Sequence, residues 1–223
     1  VNTQKSPTDN LDVRQALLYA VDRRAIVEAV FMGYSPPAAG PLNRVTWSYD
    51  ASVESLYPHD PDRAGQLLDE AGWRDTDGDG IRDKDGQPLE LETFLMGWGL
   101  LPEVGQVLQE QYLKVGVKLD TQVLPFPTAV QAASRGEHHL IPFNFSGSDP
   151  HILRSSYHSS NADSGFNWSK VKDADLDALL DRFPKNCVYM RWDYSTARQP
   201  GNLRALDWWQ EHIFHLRFAA RTP

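Results

Sequence analysis

Val13-Arg14-Gln15-Ala16-Leu17-Leu18-Tyr19-Ala20-Val21-Asp22-Arg23-Arg24-Ala25-Ile26-Val27 is the stretch that decides the fold, and Gly33, Pro36-Pro37-Ala38 and Gly40-Pro41 follow it. Its apolar residues Val13, Leu17, Ala20, Val21 and Ile26 recur at helical spacing. That spacing predicts an amphipathic helix over about residues 12–31, ending near Gly33. Ahead of it, Ser6-Pro7-Thr8-Asp9-Asn10 reads as a turn that caps the helix through Asp9 or Asn10, and residues 2–5 read as a short strand. Residues 33–57 carry Pro and Gly early and almost no period, so they form a long ordered loop, a type of segment that often serves function.

Working outward, Asp60-Pro61 opens a second helix with Pro one step inside the cap, running through Leu67 and Leu68 to Ala71 and stopping at Gly72. A polar hairpin loop covers residues 75–86. Leu89-Glu90-Leu91-Glu92-Thr93-Phe94-Leu95 then alternates with period two and reads as a strand. A helix over residues 102–115 ends at Gly116, a strand covers 117–123, a short helix 128–134 and an apolar strand 140–145. Strands separated by helices predict an α/β fold, a mixed sheet flanked by helices.

Composition narrows the function classes. The 223 residues, 41% hydrophobic and 23% charged, suffice for a packed globular core. A net charge of -8 argues against nucleic acid as a partner, because such binders gather Lys and Arg on one face. Apolar runs are far shorter than a membrane span, and Val1-Asn2-Thr3-Gln4-Lys5 lacks the apolar core of a signal peptide. The single Cys187 excludes an internal disulfide and a multi-cysteine metal site. Charge shifts near residue 183: residues 184–223 carry +3, and the rest -11.

The residue order resembles a known family. VRQALLYAVDRRAIV with its Gly-Pro turn resembles the helix that opens the C-terminal lobe of the family 5 extracytoplasmic solute-binding proteins, the peptide, nickel and oligosaccharide receptors of ABC importers. Asp60 to Trp73 is similar to that family's "DPxxAxxLLxEAGW" helix, and Asp77 to Leu89 to the hairpin after it. Gln109 to Val117, Ser148-Asp149-Pro150 and Asp175 to Leu180 match three later landmarks in family order. The resemblance covers residues 1–183 and implies a type II periplasmic-binding-protein-like lobe. Residues 184–223 depart from it; a helix over 202–220 fits Leu203, Leu206, Trp209, Ile213 and Leu216.

From the resemblance follow a small-molecule or peptide solute, an ABC permease as membrane partner, an N-terminal lobe of the same protein missing here, and no cofactor. It also implies a periplasmic or extracytoplasmic place, with a lipid anchor carried by a missing N-terminus. A ligand-sensing regulatory lobe is the second reading; a hydrolase is the third, and no GxSxG, HExxH, GxxxxGKS or GxGxxG supports it. By family position the ligand wall comprises Phe143, Asn144, Phe145, Ser146 and Asp149, with Trp98 and Phe126. Peptide-binding members place an aspartate where this chain has Ser146, so an ion pair to a peptide ammonium is absent at that place.

Two residue patterns carry a metal reading. Asp75-x-Asp77-x-Asp79-Gly80 has the first half of a calcium loop, but Gly86 stands where the closing bidentate Glu belongs; Asp83 and Asp85 are substitutes, and a solvated turn is the plainer alternative. Seven histidines, His138-His139 among them, show no convincing ligand spacing, so they read as surface residues.

Overall fold

The computed structural model describes residues 1–46, 48–142 and 152–182. The expected strand beyond Pro142, the wall residues from Phe143 to Asp149 and the helix over 202–220 lie outside these.

The opening run forms two helices rather than one, α1 (Leu11–Tyr19) and α2 (Arg23–Phe31). Asn10 caps α1, its Oδ1 accepting from Asp12 N at 2.7 Å and Val13 N at 3.3 Å. Asp22 caps α2 in the same way, accepting from the backbone of Arg24 and Ala25 at 3.0 Å each. The break is enforced from a distance. Gln111 accepts from Asp22 N at 3.0 Å, standing in for the acceptor that a continuous helix would have supplied, and donates to Asp22 O at 3.2 Å beside the bond from Ile26 N.

Val13, Ala16 and Leu17 on α1 pack against Ala64, Leu67 and Leu68 of α3 (Pro61–Glu70), which Asp60 caps. After Gly72 the chain forms a two-residue ribbon, β1 (Asp83–Lys84) against β2 (Gln87–Pro88), turned at Asp85-Gly86 with φ of 52° and 73°. An Asp-Gly pair with both φ positive matches the twist of a tight hairpin. Arg82 locks the ribbon down, donating to Val115 O at 2.9 Å and Trp73 O at 2.8 Å and pairing with Asp69.

The main sheet pairs β3 (Glu90–Met96) with β4 (Lys118–Leu124) in parallel, joined by helix α4 (Leu101–Leu113). Leu140 adds a parallel bridge to Thr93 on the other side of β3, after α5 (Phe126–Arg135). Leu89, Leu91, Val117 and Leu119 meet α1 and α3 in one core, as the alternation in both strands predicts. Helices α6 (Ile152–Tyr157) and α7 (Ala174–Leu180) follow. Among the described residues no helix is long and apolar enough to cross a membrane.

Residues 2–5 are a strap, not a strand. Asn2 N donates to His139 O at 2.8 Å, the Asn2 side chain donates to Gly136 O and His138 O, and Thr3 N turns to Ser169 O at 2.8 Å. With successive residues serving different segments, no ladder can form.

Candidate functional site

Parallel strands end on one edge, and ligands of open α/β sheets gather outside that carboxyl edge. Here β3 exits through Gly97-Trp98-Gly99 and β4 through Pro125-Phe126. Gly99 takes φ 58°, and a Cβ on Gly97 would stand 3.4 Å from Val123 Cγ1, so the exit of β3 lies close against β4. The result brings two sequence candidates together. The Trp98 and Phe126 rings lie 4.8 Å apart between centroids, tilted by 34°, and remain 45% and 42% exposed. Leu100 and Val123 stand exposed beside them in sequence. Below, Met96, Ala129, Ala133 and Trp168 form a packed cluster with Leu101, Leu124, Val130 and Ile141. Exposed ring faces on a rigid base are what a binding wall needs.

Phe143, Asn144, Phe145, Ser146 and Asp149 lie outside the described residues; the chain approaches them through Leu140, Ile141 and Pro142.

The opposite edge is ionic. Lys118 pairs with Glu90 at 2.9 Å and Lys5 with Glu92 at 2.6 Å; Lys5 also donates to Glu137 O. The Lys5 ammonium holds the Glu92 carboxyl below its ordinary pKa. Here the surface reading of His138 and His139 fails, because both are buried. His138 Nε2–H donates to Trp168 O at 2.9 Å, while its Nδ1 is enclosed without a hydrogen-bond partner. Burial pushes its pKa down to about 4, against the smaller raising effect of the Trp168 carbonyl. His139 accepts from Glu92 N through Nδ1 at 2.9 Å and donates through Nε2 to Ser6 O at 3.0 Å, and burial lowers its pKa first, the nearby Lys5 charge second. The His139 ring ties the strap to β3, and the His138 ring is anchored on the Trp168 carbonyl. The signal in sequence is the apolar run that follows them, Leu140-Ile141-Pro142, which carries the pair into the interior.

In the acidic loop, ligand atoms of Asp75, Asp77 and Asp83 lie within 4.8 Å of one another, and Asp79 is not of that group. Asp75 accepts from Gly78 N at 2.7 Å and Gly80 N at 3.1 Å, and Asp83 accepts from Thr76 N at 2.9 Å. These are the bonds of a self-closing Asx turn. His158, another of the seven histidines, accepts from Ser160 N at 3.1 Å and caps a short 3-10 turn, Ser159–Asn161.

Comparison with known proteins meets this geometry. Residues 1–166 match the family of bacterial extracellular solute-binding proteins, family 5 (middle). The chain belongs to that family. It is 34% identical over 188 residues to heme-binding protein A of Haemophilus influenzae, a match covering 81% of this chain and 32% of that protein. Among solved structures it superposes on the oligopeptide-binding protein AppA of Bacillus subtilis, in complex with a nonapeptide, with a TM-score of 0.72 and 30% identity over 81% of this chain and 36% of that one. NikZ of Campylobacter jejuni, in complex with Ni(L-His), gives 0.71 and 28% over the same shares. The fold is therefore the α/β, type II periplasmic-binding-protein-like lobe that the residue order implied. The chain spans about a third of the length of these relatives.

Proposed function

We propose that this chain is one lobe of an extracytoplasmic receptor that captures an oligopeptide or related small solute for an ABC importer. The exposed Trp98–Phe126 pair at the carboxyl edge of the parallel strands carries this reading. Family relatives that hold a nonapeptide and a nickel–histidine complex support it by fold and descent. Trp98, Phe126, Phe143, Asn144, Phe145, Ser146 and Asp149 form this lobe's share of the solute wall, and a second lobe supplies the other. Solute then bridges both, favours the closed form by its extra contacts there, and the closed form docks on the permease. The work is capture and presentation, with no bond broken and no catalytic residue required. The receptor acts in the periplasm or its equivalent, a lipid anchor being carried ahead of the first lobe.

The test is a thermal shift of the two-lobed receptor containing this chain against a mixed pool of short peptides. A solute present at a hundredfold excess over Kd stabilises by about 2.7 kcal/mol, and that gain disappears on removal of both rings. Tight, specific binding by this chain alone sinks the two-lobe account; no shift with peptides or other small solutes sinks the receptor reading.

A further inference from the structure

Residues 20–59 leave the lobe and return to it at one place. Asp60 N donates to Tyr19 O at 2.9 Å, Arg23 Nη1 donates to Tyr57 O at 3.0 Å, and the Tyr19 and Tyr57 rings meet edge to face with centroids 5.4 Å apart. His59 Nδ1 lies 3.7 Å from Asp22 Oδ2 at the same neck. Between these fastenings run α2 and the long loop after it. Of the described residues in 21–59, Thr46 alone is buried. Helix α2 lies against α4 yet has no buried residue. Met32, Tyr34 and Val45 are the most exposed large apolar side chains among the described residues, at 78%, 90% and 83%, and Phe31 and Leu56 are exposed in the same excursion. Met32 also takes φ 51°, a left-handed conformation that disfavours any side chain.

The excursion takes its shape from polar bonds at its surface. Arg44 donates to both carboxylate oxygens of Glu54, at 2.8 and 2.7 Å, and Tyr49 OH donates to Glu54 at 2.7 Å. Asp50 accepts from Ser52 N at 2.9 Å and starts a short 3-10 turn, Ala51–Ser55. A compact surface loop packs its own apolar side chains together. This one is ordered with them facing out.

We infer that residues 21–59 are an arm whose apolar face seats on the other lobe of the receptor, so that packing as well as chain connection joins the two lobes. This rests on the receptor reading above and adds to it the surface through which this lobe holds its partner. The relatives are about three times the length of this chain, which leaves the greater part of such a receptor to cover the arm. An apolar face left in water favours association with whatever meets it, and a surface tethered in the same molecule meets it first, at high effective concentration. Charge argues against a membrane as the cover. Residues 21–59 carry three Arg against four Asp or Glu, with Arg44 already committed to Glu54, whereas membrane-surface segments gather Lys and Arg. The partner surface is therefore apolar and carries little net charge.

The test is hydroxyl-radical footprinting, read by mass spectrometry, of the full chain alone and of the two-lobed receptor that contains it. Met32 and Tyr34 oxidise roughly tenfold more slowly in the receptor, with or without solute, as their 78% and 90% exposure falls to that of an interface core. Val45→Asp leaves the Tm of the chain alone unchanged, because the position is exposed there, and lowers that of the receptor by burying a charge at the contact. Equal oxidation in chain and receptor overturns the inference, as does protection that appears only when a peptide pool is added; the receptor reading is then judged by its own thermal shift. Protection already present in the chain alone overturns it too, sedimentation assigning the cover to a second copy if the chain is a dimer and to residues 184–223 if it is a monomer. A receptor whose arm is protected but which no solute stabilises keeps the contact between lobes and loses the receptor reading.

Discussion

Lowering the pH from 7.5 to 5 removes about 2 kcal/mol of stability through His138 alone, from linkage between an unfolded pKa of 6.5 and a folded one of about 4. The sign follows from where the proton can go. His138 donates Nε2–H to Trp168 O, so a second proton must enter at Nδ1, which is enclosed with no acceptor in reach. Between the two pKa values the unfolded chain binds the proton and the folded chain refuses it, so stability falls as pH drops through that window and is intact above 6.5. His139, lowered in the same direction, adds to the loss. The perturbation is His138→Gln, whose amide still donates to the Trp168 carbonyl without titrating. Urea unfolding at pH 7.5 and 5 gives ΔG for both proteins, and the variant's difference between the two pH values is smaller by about 2 kcal/mol. Equal pH dependence in the two proteins, or an NMR titration of the His138 ring at or above 6.5, refutes the argument.

Gln111→Ala leaves Asp22 N without its acceptor at the α1–α2 break, while Asp22 O keeps the bond from Ile26 N, and costs about 1–3 kcal/mol, read by urea unfolding. Gly116→Ala puts a Cβ 2.7 Å from Arg82 Cγ at a φ of 78° and lowers Tm, with a loss of at least about 1 kcal/mol by calorimetry; an unchanged Tm contradicts the packing. Leu68→Ala, at a fully buried contact with α1, destabilises by about 2–5 kcal/mol in the same assay. Trp98→Ala and Phe126→Ala each stay within about 1.5 kcal/mol of wild type, the range of one ring contact, because both rings are surface-exposed; a larger loss reassigns the pair to structure.

Local signals were legible wherever one segment settles its own conformation. Asn10 and Asp60 sit before helices that they cap, Gly72 and Gly116 end helices, and alternation in residues 89–95 and 117–123 maps onto β3 and β4 within one residue. The α1–α2 break was not legible, because Asp22 within a helical pattern reads as an ordinary polar face residue, and what makes it a cap is Gln111, distant in sequence. The buried histidines escaped for the same reason. Each ring is held inside by a carbonyl that accepts its Nε2–H, and those carbonyls belong to Ser6 and Trp168, distant in the chain. Of the wall, Trp98 and Phe126 were singled out by position in the family, and their meeting depended on the parallel register of β3 and β4, which periodicity does not specify.

The two edges of the sheet explain one another. A parallel pair leaves its strand starts and strand ends on opposite sides, so each can be given a separate task without changing the core between them. At the starts, ion pairs and the His139 ring fasten the strap, where partial exposure to water keeps the desolvation of Lys5, Glu90, Glu92 and Lys118 modest. At the ends the same residues would obstruct. A solute that must be surrounded and then released is better met by surfaces whose desolvation is favourable, and the Trp98–Phe126 wall is of that kind. Introducing a lysine at Val123 tests the division: it leaves the ionic edge and the fold intact while repelling cationic solutes and weakening apolar ones.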